Sequence, residues 1–178
     1  MRAFVAIDVG GAVPAPPSST LPAPTHLTLK FLGEIAPERV EPIAGALGPA
    51  IDSIAPFEFR LSGVGAFPSA HRPRVIYVGV TDGRAELVEL AGAVGAALEG
   101  VGFAPEPGEF VPHVTLFRVR SGAERERASA LLEGLELEPP PRSVHVSEVQ
   151  LKESILFARG AQHRTLRSFT LSGRAADG

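Results

Sequence analysis

Two short runs place a histidine two residues before a threonine: "HLTL" at 26–29 and "HVTL" at 113–116. Side chains alternate across a β-strand, so residues i and i+2 share a face. His26, Thr28 and Lys30 then project together, with Leu27, Leu29 and Phe31 opposite; His113 and Thr115 share a face against Val114 and Leu116. Two imidazoles with two hydroxyls suit phosphoryl chemistry. One imidazole, protonated, donates to a leaving oxygen, while the other, neutral, accepts a proton from the attacking water. An ordinary histidine pKa of about 6.5 permits both states near neutrality. The hydroxyls donate hydrogen bonds to nonbridging phosphoryl oxygens, where charge must be held. No metal or cofactor is required by such a scheme. One His-x-Thr alone reads as a packed strand histidine; two copies 87 residues apart, about half the chain, do not read as coincidence. A metal held by His26 and His113 is the weaker alternative, because neither motif brings a neighbouring carboxylate.

The elements that must carry these motifs follow from periodicity. Residues 2–8, 26–32, 57–67, 74–80, 112–119, 142–151, 154–159 and 167–173 read as strands. Residues 36–52, 84–99 and 123–134 read as helices, the second having Leu87, Leu90, Val94 and Leu98 on one face and Gly100 as its stop. Residues 9–24, with five prolines and two glycines, read as a loop. This order predicts an α+β fold with mostly antiparallel sheets. Each histidine opens a strand that leads to a helix and then a hairpin-like pair, which suggests two similar lobes about an approximate two-fold axis. The expectation is one bilobal domain over residues 1–178.

The bulk numbers narrow the classes. A chain of 178 residues buries a real core. Without cysteine, thiol nucleophiles, disulfides and zinc–thiolate sites are excluded. No apolar run is long enough for a membrane span, and "MRAFVAIDV" does not read as a signal peptide, so a cytoplasmic protein is expected. A net charge of −3 argues against sequence-blind coating of nucleic acid but leaves room for a small basic pocket. Of 17 basic residues only Lys30 and Lys152 are lysine; the arginine excess suits phosphate recognition or reflects composition alone.

Several stretches together resemble the two-histidine (2H) phosphoesterase superfamily, and within it the bacterial and archaeal RNA 2′,3′-cyclic phosphodiesterases, historically called 2′-5′ RNA ligases. They are "MRAFVAID" at 1–8, "HLTLKFLGE" at 26–34, "GVGAFP" at 63–68, "PRVIYVGV" at 73–80, "FVPHVTLFR" at 110–118 and "VQLKES" at 149–154. The resemblance covers nearly the whole chain, in order. It implies a bilobal fold around a central groove, and metal-independent hydrolysis of a terminal 2′,3′-cyclic phosphate to a 2′-phosphate. It makes His26 the proton donor to the 3′ oxygen, His113 the base that activates water, and Thr28 and Thr115 phosphate-binding groups. Arg118 matches a basic position after the second motif; strict alternation points it away from His113, so its role needs a bulge or a strand end. Lys30 steers the anionic substrate or ends the strand in solvent. RNA with cyclic-phosphate ends, or free nucleoside 2′,3′-cyclic phosphates, are the implied partners, and a monomer is expected.

The chain also departs from the resemblance. Residues 9–24 are short and proline-rich where a helix and an aromatic-containing segment are usual, and "QHRT" at 162–165 stands where a tyrosine is frequent. His163 either replaces a contact to the base or does nothing. His71, in a polar loop, reads as solvated, and His145 as a surface or packed residue of its strand. Two other functions compete with hydrolysis: 2′-5′ ligation or cleavage in the same groove, and non-catalytic binding of RNA ends.

Overall fold

The computed structural model describes residues 1–15, 23–134 and 140–175. In chain order the elements are β1 (Arg2–Asp8), β2 (His26–Glu34), a 3-10 turn (Pro37–Arg39) leading into α1 (Val40–Asp52), β3 (Phe57–Phe67), β4 (Val75–Val80), α2 (Arg84–Glu99), β5 (His113–Arg118), α3 (Gly122–Leu132), β6 (Ser143–Val146), β7 (Glu148–Phe157) and β8 (Gly160–Thr170). They form two four-stranded sheets, ordered β2-β1-β7-β8 and β5-β4-β3-β6, and every pairing is antiparallel. The α+β expectation and its two antiparallel sheets hold.

The two histidine strands, β2 and β5, are edge strands of the two sheets, each beside the strand that precedes it, β1 and β4. Helix α2 joins β4 to β5. The equivalent connection from β1 to β2 is the proline-rich stretch, whose residues 16–22 lie outside the described residues. The helices bury the stripes expected of them: Val40, Ile43, Leu47 and Ile51 on α1, and Leu87, Leu90, Val94 and Leu98 on α2. α1 packs on α2 and β8, and α2 on β2 and β3. These stripes join Ile7, Leu27 and Leu151 of one sheet and Phe59, Ile76 and Val114 of the other in a continuous apolar core. α3 opens on a reciprocal cap, with the Glu124 amide donating to Ser121 Oγ at 3.2 Å and the Ser121 amide to Glu124 Oε2 at 3.0 Å. No helix among the described residues is long and apolar enough to cross a membrane.

The C-terminal strands differ from the sequence reading. The run at 142–151 breaks at Ser147, and β7 continues unbroken to Phe157. Val144 and Val146 are buried on one face of β6, but Val149 is three residues beyond Val146, an odd step that one regular strand cannot keep on that face. The chain changes sheets there: β6 pairs with β3, and β7 with β1. β8 begins at Gly160, whose φ of 119° suits a tight hairpin turn, so the segment at 162–165 lies within a strand.

Candidate active site

β2 and β5 approach each other edge to edge. Between them lies a cavity of ≈ 220 Å³ lined by Thr28, Leu29, Lys30 and Phe31 from β2, Phe67 from β3, and Glu106, Glu109, Phe110, Val111 and His113 from the β5 side. His26 and Thr115 do not line this cavity. A larger depression of ≈ 530 Å³ runs along α3, lined by residues such as Arg125, Glu126 and Glu133, and carries none of the histidines.

Both motif strands contain the same irregularity. Along β2 the pairing steps from Ala6↔Thr28 to Val5↔Lys30, leaving Leu29 without a partner; along β5 it steps from Tyr77↔Thr115 to Ile76↔Phe117, leaving Leu116 without one. Each is a β-bulge directly after the motif threonine. The burial order is accordingly identical over His26–Phe31 and His113–Arg118: half-buried, buried, half-buried, buried, buried, exposed. The bulge reverses the alternation beyond it. Arg118, paired with Val75, thereby returns to the face of Thr115 and His113, as its expected role requires. Lys30 moves the other way. The shared face predicted for His26, Thr28 and Lys30 is corrected: Lys30 pairs opposite core residue Val5, is 6% exposed, and donates from Nζ to the Ala104 carbonyl at 2.9 Å. Phe31 takes its place on the His26 face and is 62% exposed, not packed with Leu27 and Leu29.

His113 is held in a defined orientation. Its Nδ1 lies 2.8 Å from the Val111 carbonyl, which can only accept, so Nδ1 carries the hydrogen and Nε2 of the neutral ring keeps a free lone pair. The ring stands edge-on to Phe67 (5.0 Å between centroids) and Tyr77 (5.4 Å), which stack on each other at 4.4 Å. Gly65 makes that arrangement fit: it pairs with Tyr77, and a Cβ there would lie 2.5 Å from the tyrosine ring.

His26 sits in a tighter environment. Its ring packs on Phe4 at 5.0 Å and meets the His163 ring edge to face at 4.6 Å, and Thr25 Oγ1 is 3.4 Å from its Nδ1. On the same sheet face Lys152, 8% exposed, forms an ion pair with Asp8 at 2.8 Å and donates to Thr165 Oγ1 at 3.3 Å. Burial, then His163, then Lys152 push the His26 pKa down to about 4, against a smaller upward pull from Asp8. Burial and Lys152 also lower that of His163. The free protein therefore holds His26 neutral at pH 7, in place of the unperturbed value expected from sequence.

The lowered pKa also acts on stability. The unfolded chain takes up this proton as pH falls through about 6.5, while the folded protein refuses it until about 4, so stability is retained above pH 6.5 and lost between 6.5 and 4. Urea unfolding of the native protein and of His26→Phe at pH 7 and pH 4.5 should show a smaller acid loss in the variant; equal losses would mean that His26 is not the group responsible.

His71, in the loop between β3 and β4, and His145, on β6, are both exposed. Sequence reasoning missed Phe4, Asp8, Tyr77 and Lys152 as neighbours of the histidines and left His163 undecided. Tyr77, the only tyrosine, alternating with buried Ile76 and Val78, was the one legible signal. Among the described residues no three histidine, aspartate or glutamate side chains converge as metal ligands would.

Comparison with known proteins agrees with this geometry. A family model described as the 2′-5′ RNA ligase superfamily matches residues 16–154, which include both motifs. A protein of Aeropyrum pernix named RNA 2′,3′-cyclic phosphodiesterase is 41% identical over 143 residues, covering 79% of this chain and 78% of its own. One of the same name from Archaeoglobus fulgidus is 31% identical over 188 residues, covering 95% and 99%. Among solved structures, a Thermus thermophilus protein superposes with a TM-score of 0.70 at 27% identity, covering 98% of this chain and 100% of its own. LigT of E. coli in complex with 3′-AMP does so at 0.67 and 26%, covering 96% and 98%.

Proposed function

Because this chain belongs to the 2′-5′ RNA ligase superfamily, we propose that it is an RNA 2′,3′-cyclic phosphodiesterase that opens a terminal 2′,3′-cyclic phosphate to a 2′-phosphate by two-histidine acid–base catalysis. The observation that carries this reading is the repeated motif strand, His-x-Thr followed by a bulge, at the edge strands of two sheets that touch along those strands. The name shared by its relatives supports the same activity.

In this scheme the cyclic phosphate lies between β2 and β5. His113 Nε2 takes a proton from water, a role for which the Val111 contact prepares it. The water oxygen bonds to phosphorus, the P–O3′ bond breaks, and His26 delivers its proton to O3′. Thr28, Thr115 and Arg118 donate to the nonbridging oxygens. His26 is neutral in the free protein, and the negative charge of the bound phosphate favours its imidazolium, opposing the downward push of its surroundings. Lys30 lines the cavity, but its ammonium is committed to Ala104, so it contributes charge to the wall and does not ligate phosphate while that bond holds. Both histidines come from one chain, so a monomer with one bilobal domain suffices.

The family model's description favours a second reading, 2′-5′ ligation. The same groove performs it when an RNA 5′-hydroxyl replaces water as the group that His113 deprotonates, since phosphorus stays on O2′ in both reactions. Incubation of a nucleoside 2′,3′-cyclic phosphate with the protein and a chelator tests the first reading. Turnover is expected, and its complete absence with both histidines intact would favour a binding module instead. Adding an RNA with a 5′-hydroxyl end reports how far ligation competes.

A further inference from the structure

A third histidine meets the candidate donor by a route that strand pairing does not reveal. His26 pairs with Asp8 at one end of β1; His163 pairs with Ser154, which pairs with Arg2 at the other end. Those two positions are about 20 Å apart along an extended strand. The two rings nevertheless meet over Phe4. The result is a triangle of rings: His26 to His163 at 4.6 Å, Phe4 to His26 at 5.0 Å and Phe4 to His163 at 5.2 Å. Phe4 is buried and His163 is exposed. His26 therefore has a fixed apolar floor on one side and a titratable, solvent-facing imidazole on another.

We propose that His163 is a positioning residue for His26: its ring, in edge-to-face contact, sets the orientation of the donor imidazole, and the touching pair resists carrying two positive charges at once. The inference rests on the donor role assigned to His26 above. The charged groups acting on His26 are Asp8 from β1, Lys152 from β7 and His163 from β8. Asp8 and Lys152 pair with each other, so their opposite effects partly offset. His163 has no such counter-charge among the described ion pairs, and two imidazolium rings in contact repel. The edge-to-face contact directs no N–H along a lone pair, so His163 acts through space and does not relay the proton.

The test is an imidazole NMR titration of His26 without substrate, in the native protein, His163→Ala and His163→Phe. Both variants should raise the His26 midpoint by about one pH unit, because each removes the neighbouring charge. His163→Phe keeps a ring against His26 and should retain kcat within a few-fold, whereas His163→Ala should lose roughly tenfold as the donor ring gains freedom. A midpoint unchanged in both variants overturns the proposal. A raised midpoint with equal kcat in the two variants removes its orienting part. If the native protein turns over no cyclic phosphate, the proposed function fails, while the titration still decides whether His163 governs the proton on His26.

Discussion

His113→Ala should lower kcat/KM on a nucleoside 2′,3′-cyclic phosphate by roughly 10²–10⁴-fold, and His26→Ala by a similar factor, the range typical of a positioned general acid or base. His113 is half-buried with its Nδ1–H engaged by Val111, so the alanine variant loses the only free imidazole nitrogen bordering the cavity between β2 and β5. His26 has the same motif position and half-burial on β2, outside the cavity lining. If the two act in one step, the double variant should cost much less than the product of the single losses, because an acid without its base has little left to assist. Circular dichroism and unfolding midpoints at pH 7 separate this from loss of fold. Either single variant with near-native turnover would sink the assignment of the pair.

Thr28→Val and Thr115→Val should each lower kcat by roughly 10²-fold with little change in stability at pH 7. Valine keeps the β-branched shape, and both threonines are half-buried, so the exchange removes a donor hydroxyl without opening a cavity in the core. The effect should appear in kcat more than in KM, since the nonbridging oxygens gain charge as the reaction proceeds. A change confined to KM would place the hydroxyls in ground-state binding, and a loss below about threefold would remove them from the phosphate altogether.

Much of this site was legible in the residues. Strand period placed His26 with Thr28 and His113 with Thr115, and both pairs lie ahead of the irregularity in their strands, where alternation holds. What failed lies beyond it. The bulges at Leu29 and Leu116 leave no mark in composition, since leucine, lysine and phenylalanine are all acceptable in a regular strand. A one-residue slip reverses every later side chain, which is why Lys30 left the face of His26, Phe31 joined it, and Arg118 joined that of His113. The break at Ser147 was readable in principle from the odd spacing of Val146 and Val149. The contact of His163 with His26 was not: it joins residues 137 positions apart, on the two outer strands of one sheet, which no local pattern encodes. The depressed pKa of His26 depends on burial first and on that contact second, so it too required the fold.

The central claim is that two opposed histidines direct water to a cyclic phosphate and expel the 3′ oxygen. Its most direct measurement is ³¹P NMR of the product formed from a nucleoside 2′,3′-cyclic phosphate in ¹⁸O-enriched water with a chelator present. The account predicts a single product, the nucleoside 2′-phosphate, carrying one solvent-derived oxygen on phosphorus. The 3′-phosphate, a mixture of the two isomers, or a product without the label would contradict it.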